Sequence, residues 1–301
     1  MRVWQKLREQ IEVSLRNWLE RCQPSTPQIL VESMKYSLSA PGKRLRPFLV
    51  WLACRAAGGG EDAALPAACA VEMVHTYSLI HDDLPAMDDD DYRRGQLTCH
   101  RQFSEALAIL AGDALLTMAF QVLSESYPAT IAAVSILELA RGAGPEGMVG
   151  GQVLDLAAEG RSGFGFRPAT EADLSLLHQK KTGALIASSL RLGVYVAQAG
   201  TNQGVKPEVI KRFDKYASAF GLAFQIADDL LDVEGTQDQT GKRVGKDADR
   251  GKLTYPKLIG AEESRRRANI LVEEAEAAIQ GFGETSVYLA ELVRYTVQRN
   301  H

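Results

Sequence analysis

The chain has 301 residues, 46% of them apolar and 24% charged, with a net charge of −4. That much apolar material excludes a disordered chain. The balance of 34 basic against 38 acidic residues excludes a global positive field of the kind that recruits nucleic acid or an anionic membrane, so any anion binding must be local.

The N-terminus, Met1 to Lys6, runs into a charged amphipathic pattern rather than the apolar core of a secretory signal. Cys22, Cys54, Cys69 and Cys99 have no CxxC or Cys/His metal spacing and read as reduced packing residues of a cytoplasmic protein. The first basic cluster, Gly42-Lys43-Arg44-Leu45-Arg46-Pro47, sits at a turn, and Gly58 to Gly60 mark the next joint.

Val71, Val74, Ser78 and the Leu79-Ile80 pair repeat at helical spacing, and His75, Ser78 and Asp82 form a second stripe on the same helix. Pro85 ends it just after Asp83. Asp88 therefore returns from a loop, within a run that continues through Asp91 and is followed by Arg93-Arg94-Gly95. The apolar stretch from Ala106 to Phe120 is interrupted by Asp113 and falls short of the ~20 apolar residues of a membrane span, so no stable membrane insertion is expected.

Turn signals recur at 142–147, 160–168 and 200–207. Between them lie a third basic cluster, Lys180-Lys181-Thr182-Gly183, and Gly193 to Val196, where helix and strand readings compete. Phe213, Tyr216, Ala217, Phe220, Phe224 and Ala227 then stripe a long helix that ends in Asp228-Asp229-Leu230-Leu231-Asp232. Asp228 and Asp232 share a face with Gln225, and Asp229 lies about 100° round. A polar stretch over 234–251 carries Lys242-Arg243 and leads to Gly251-Lys252. The periodicity predicts an all-α chain of about ten to thirteen helices, and since no joint is long or low-complexity enough to be an interdomain linker, a single helical domain over 1–301 whose site is built from inward-facing side chains.

Carboxylates one turn apart on an otherwise apolar face repel unless a cation joins them, and magnesium takes such oxygen ligands together with water and substrate phosphates. Two acid motifs beside five basic clusters point to a substrate with more than one phosphate, bound by arginine forks and by metal bridges.

These motifs, with Leu110 to Leu115 and Phe224 to Asp232, resemble in their order the signature of the trans-prenyltransferases (polyprenyl synthases). The match runs from about Lys35 to the C-terminus and is closest to the bacterial branch that makes the C15 product, (E,E)-farnesyl diphosphate. The resemblance implies an isoprenoid synthase-type bundle that joins isopentenyl diphosphate to dimethylallyl or geranyl diphosphate through a magnesium-assisted allylic cation. Asp82, Asp88 and Asp228 would ligate about three magnesium ions, manganese being possible, with Asp83, Asp229 and Asp232 as supporting ligands.

By the same resemblance Arg93, Lys181, Lys242 and Lys252 would meet the allylic diphosphate, and Thr182 and Gln225 would face the cation. Gly42, Lys43, Arg46, His75 and Arg94 would hold isopentenyl diphosphate. Tyr77 and Ser78 would floor the product cavity, Tyr77 favouring C15 over the C20 product geranylgeranyl diphosphate. The resemblance also implies a homodimer. A class I terpene cyclase would lack the Lys43/Arg46/His75 pocket, a non-catalytic subunit would usually lose one acid motif, and a phosphohydrolase using His81-Asp82 would leave the second motif without a role.

Overall fold

The computed structural model describes residues 2–161, 163–164, 169–199, 204–234 and 253–298. It is all-α: fourteen α-helices among the described residues, one more than the upper expectation because two are short, with a single two-stranded hairpin. The chain divides into two compact units, Met1–Leu137 with Leu192–Gln203, and Glu138–Arg191 with Gly204–His301.

In the first unit α1 (Arg2–Cys22), α2 (Gln28–Leu38), α3 (Leu45–Ala56) and α6 (Glu105–Ser126) surround α4 (Glu61–Asp82). From Ala67 to Val74 almost every side chain of α4 is buried. Small residues make this possible: Ala64, Ala67, Ala68 and Ala70 on α4, and Ala108, Ala111, Gly112 and Ala119 on α6, let the two backbones approach closely. Pro66 removes a backbone donor inside α4, and the Tyr127 hydroxyl enters the ladder beside it, accepting from Ala67 N–H at 3.0 Å and donating to Ala63 O at 2.7 Å.

Both α4 and α6 are long and apolar enough, by length and composition, to cross a membrane; α6 exceeds the run anticipated from sequence. In the α4 window 67% of the residues are buried inside the protein, so that apolarity serves the core. All four cysteines are free, three of them buried, in line with a packing role.

The hairpin between α4 and α5 (Cys99–Gln102) was not anticipated. Its strands pair Tyr92 with Leu97 and Arg93 with Gln96. Arg94 and Gly95 form its two-residue turn at φ 53° and 81°, the left-handed pair that matches the twist of a short hairpin.

In the second unit α11 (Pro207–Glu234) packs against α13 (Ala261–Ala278), α14 (Glu284–Gln298) and the short α12 (Tyr255–Ile259). Its Phe213, Tyr216, Ala217 and Phe220 face the core as the stripe predicts, while Phe224 is half-buried. α8 (Met148–Ala158) and α9 (Glu171–His178) lie against a single π-helical turn, Gln179–Gly183, that feeds α10 (Ala184–Val196). α7 spans Ala129–Ala143. Gly193 to Val196, ambiguous in sequence, is helical, and Gly193 permits it: a Cβ there would fall 2.3 Å from Val50 O.

Candidate active site

In the first unit the basic loop before α3 is fixed by a residue that carried no predicted role. Arg44 is buried, in the left-handed conformation at φ 47°. Its guanidinium donates to Glu72 Oε1 at 2.7 Å and to the carbonyls of Leu38 and Ala40 at 2.8 and 3.1 Å. A buried arginine with this many partners closes the end of α2 and ties the loop to α4, which excuses the strained backbone.

The pinned loop presents the predicted pocket. Arg46 Nη1 lies 3.3 Å from His75 Nε2. Arginine can only donate, so His75 accepts and is neutral. Its proton affinity is held well below the ordinary histidine value by burial and then by Arg46, Arg94, Arg93 and Arg44. Burial also brings Arg46 down to about 10, against the pull of Glu72, which leaves it charged at neutral pH. Gly42 makes room for the next cation: a Cβ there would sit 2.6 Å from Arg94 Nη1. Lys43 is exposed on the same loop. Cations held this close favour an anion that brings more charge than Glu72 alone.

The first acid motif begins where α4 ends. The loop folds back so that Asp88 N–H donates to Asp82 O at 2.8 Å and Asp90 N–H to Asp83 O at 3.3 Å, which brings Asp88 beside the helix end as predicted. Asp82 and Asp88 are half-buried. Asp83 is buried and engaged by Arg93. Burial alone pulls the Arg93 guanidinium down, but the bond and charge of Asp83 prevail and hold it above its ordinary value. Asp91 pairs with Arg101 on the surface. Below the motif Tyr77 is buried, its ring edge-on to His81 at 5.7 Å, and Ser78 Oγ donates to His75 O at 2.8 Å.

In the second unit the π turn presents Lys181 and Thr182. A π turn inserts one residue into a helix and re-aims the side chains that follow, and such turns are frequent at functional sites. Gly151 lets α8 lie against it, since a Cβ there would fall 2.1 Å from Lys181 N. Lys181 Nζ donates to Asp155 Oδ2 at 2.5 Å, an acid that stood outside the predicted site. Thr182 Oγ1 donates to Gln225 Oε1 at 3.2 Å, joining two of the predicted cation-facing groups. On α11 Asp228 and Asp232 are half-buried, whereas Asp229 is buried and accepts Tyr255 N–H at 2.9 Å.

Lys242 and Lys252, with the Lys242-Arg243 and Gly251-Lys252 clusters, lie outside the described residues. Among the described residues no group of three or more His, Cys, Asp or Glu is gathered as a self-contained metal site. The donor chemistry still suits magnesium, which usually takes one or two carboxylates and fills its shell with water and substrate phosphate. Asp82, Asp88, Asp228 and Asp232 are half-buried oxygen donors of that kind, while Asp83 is buried against a guanidinium and Asp229 is buried and accepts a backbone N–H.

Sequence reasoning missed Arg44, Glu72 and Asp155. Asp155 is the one charged residue from Met148 to Ala158 and is followed by an apolar turn, which marks it as paired, but nothing in its spacing names Lys181 as the partner.

A family model described as polyprenyl synthetase matches residues 27–283. A geranylgeranyl diphosphate synthase of Cyanophora paradoxa is 43% identical over 98% of this chain and 94% of its own length. A farnesyl diphosphate synthase of Geobacillus stearothermophilus is 40% identical over 98% and 96%, and that of Escherichia coli is 45% identical over 90% and 89%. The crystal structure of an FPP/GFPP synthase from Zymomonas mobilis superposes with a TM-score of 0.84 at 38% identity, covering 99% of this chain and all of that one.

Proposed function

The chain belongs to the polyprenyl synthetase family and is a prenyltransferase, and from that premise we propose that it condenses isopentenyl diphosphate with dimethylallyl and then geranyl diphosphate to give (E,E)-farnesyl diphosphate. One observation carries the two-substrate reading. Arg46, His75 and Arg94 gather beside Gly42 as a cationic cluster suited to a diphosphate of its own, for which an enzyme with a single diphosphate substrate has no use. Tyr77, buried one turn and a half below Asp82, supports a C15 product. The relatives' names are divided between farnesyl and geranylgeranyl diphosphate synthases, which makes C20 the second reading.

In this reading Asp82, Asp88 and Asp228, with Asp232 in support, would hold about three magnesium ions, or manganese, and the charge of those ions would stabilise the departing diphosphate. Asp83 serves by aiming Arg93, and Asp229 by holding the start of α12. Arg93 and Lys181, with Lys242 and Lys252, neutralise the allylic diphosphate as its C–O bond breaks. The Thr182–Gln225 pair turns its oxygens to the allylic cation. The alkene of isopentenyl diphosphate, held by Lys43, Arg46, His75 and Arg94, attacks that cation. The proton lost from the new chain goes to the released diphosphate, and apolar walls keep water from quenching the cation.

We further propose a single functional domain, since the matched family model runs through both units. The protein is then a cytoplasmic homodimer acting on small diphosphates with no nucleic-acid partner.

The test is product analysis by mass spectrometry after incubation with magnesium, isopentenyl diphosphate and each allylic primer in turn. A C15 diphosphate is expected. A C20 product would move the assignment to the second reading, and hydrocarbon released from an allylic diphosphate alone would replace it with a terpene cyclase.

A further inference from the structure

His178 closes α9 and immediately precedes the π turn that carries Lys181 and Thr182. It is only 7% exposed, and neither ring nitrogen has a hydrogen-bond partner. Buried polar groups are almost always satisfied, so an imidazole left unbonded at both nitrogens has a use that outweighs its cost.

Its surroundings say what that use is. The ring stacks on Tyr255 at 5.9 Å and 21°, and Nε2 stands 3.8 Å from Asp229 Oδ2. That same oxygen accepts Tyr255 N–H at 2.9 Å, while the Tyr255 hydroxyl lies 2.6 Å from Ser175 Oγ, three residues before His178 on α9. Hydrogen bonds thus run from Ser175 on α9 to the Tyr255 hydroxyl and from the Tyr255 backbone N–H to Asp229 on α11, and His178 Nε2 faces that same Asp229 oxygen across 3.8 Å. One turn earlier on α11, Gln225 already holds Thr182. α11 therefore meets this stretch at two points: Gln225 bonds Thr182 of the π turn, and Asp229 stands 3.8 Å from His178, just outside hydrogen-bond distance.

We propose, resting on the prenyltransferase reading, that His178 is a positioning residue, whose bond to Asp229 sets the π turn against the second acid motif when a diphosphate is bound. Asp228 is the neighbour of Asp229, and Lys181 lies three residues beyond His178. The brace thus fixes a metal-binding carboxylate and a diphosphate-binding ammonium in one register.

The experiment compares the full-length chain with His178→Phe, which keeps the ring and its stacking on Tyr255 but has no nitrogen, and with His178→Gln, which keeps an N–H donor. The first readout is the rise in thermal midpoint on adding magnesium with inorganic diphosphate. The second is KM for each substrate. The wild type is expected to show the rise, His178→Phe to lose most of it and to raise KM for the allylic diphosphate about tenfold while KM for isopentenyl diphosphate stays put, and His178→Gln to recover part of both.

A His178→Phe chain that responds like the wild type overturns the proposal, as does an equal change in both KM values. Should His178→Phe fail to fold, His178→Gln decides, since a folded His178→Gln chain with no response also overturns it. A wild type that shows the thermal response but forms no carbon–carbon bond would sink the prenyltransferase reading alone. Normal condensation with an unaffected His178→Phe would sink the brace alone.

Discussion

Arg93 holds Asp83 with a forked grip: Nε donates to Oδ1 at 2.7 Å and to Oδ2 at 2.9 Å, and Nη2 stands 2.6 Å from Oδ1. The second aspartate of the acid motif is thereby spent on aiming an arginine, and the left-handed Arg94-Gly95 turn delivers that arginine to it. Asp83→Ala would strand the guanidinium in a largely buried place. Breaking such a pair costs about 3–5 kcal/mol, so the unfolding free energy measured in urea should fall by that order. The double variant Asp83→Ala/Arg93→Ala should recover part of the loss. A loss near that of a surface pair, under about 1 kcal/mol, would show that the pair is not holding the hairpin.

Asp228 differs from Asp83 in exposure. It is half-buried on α11, one turn before Asp232 and one residue from the committed Asp229. Asp228→Ala should leave the circular dichroism spectrum and thermal midpoint close to those of the wild type while lowering turnover by about 10²–10³-fold, the scale of losing one group that stabilises developing charge. Turnover within a few-fold of the wild type would remove Asp228 from the metal-binding set.

Tyr77 makes two separable contributions. Burial, and then the charge of Asp82, push its hydroxyl up to about 12, so it stays neutral and serves as bulk. Tyr77→Ala should cost about 3–5 kcal/mol of stability, as for other large aromatic truncations in a core. It should also extend the product beyond C15 if the ring is the floor of the cavity. A destabilised variant with an unchanged C15 product would place the floor elsewhere and leave Tyr77 a core residue.

Much of this site is legible in sequence because its signals are short-range. The i, i+4 spacing of Asp228 and Asp232, the proline that ends the helix beyond Asp83 and the long stripe of α11 follow from helical geometry, and all are present as read. What escaped is what depends on contacts distant in sequence or on backbone that no pattern announces. Arg44 reads as one more cation in a basic turn, yet in a left-handed conformation it turns inward to Glu72. Asp155 and Lys181 meet only because Gly151 admits the π turn against α8. The Tyr92–Leu97 hairpin has too few residues for an alternation to show, and its turn is legible only from Gly95.

His75 links the isopentenyl diphosphate pocket to pH. Its proton affinity in the folded protein lies well below the ordinary 6.5, through burial and the four arginines around it, while in the unfolded chain it returns to the ordinary value. Below 6.5 the unfolded chain therefore binds a proton that the folded protein refuses. The stabilisation is complete above that pH and is lost as pH falls through it, by up to about 1.4 kcal/mol per pH unit. His75→Gln, which has no proton to gain, should flatten that part of the stability curve measured by urea denaturation between pH 5 and 7. A diphosphate bound beside Arg46 and Arg94 offsets the charges that hold the imidazole neutral, so its proton affinity should rise on binding. Calorimetric titration with isopentenyl diphosphate near pH 6, in buffers of different ionisation enthalpy, should then reveal proton uptake by the wild type that His75→Gln lacks. Equal proton uptake by both proteins would show that the diphosphate does not bind against His75.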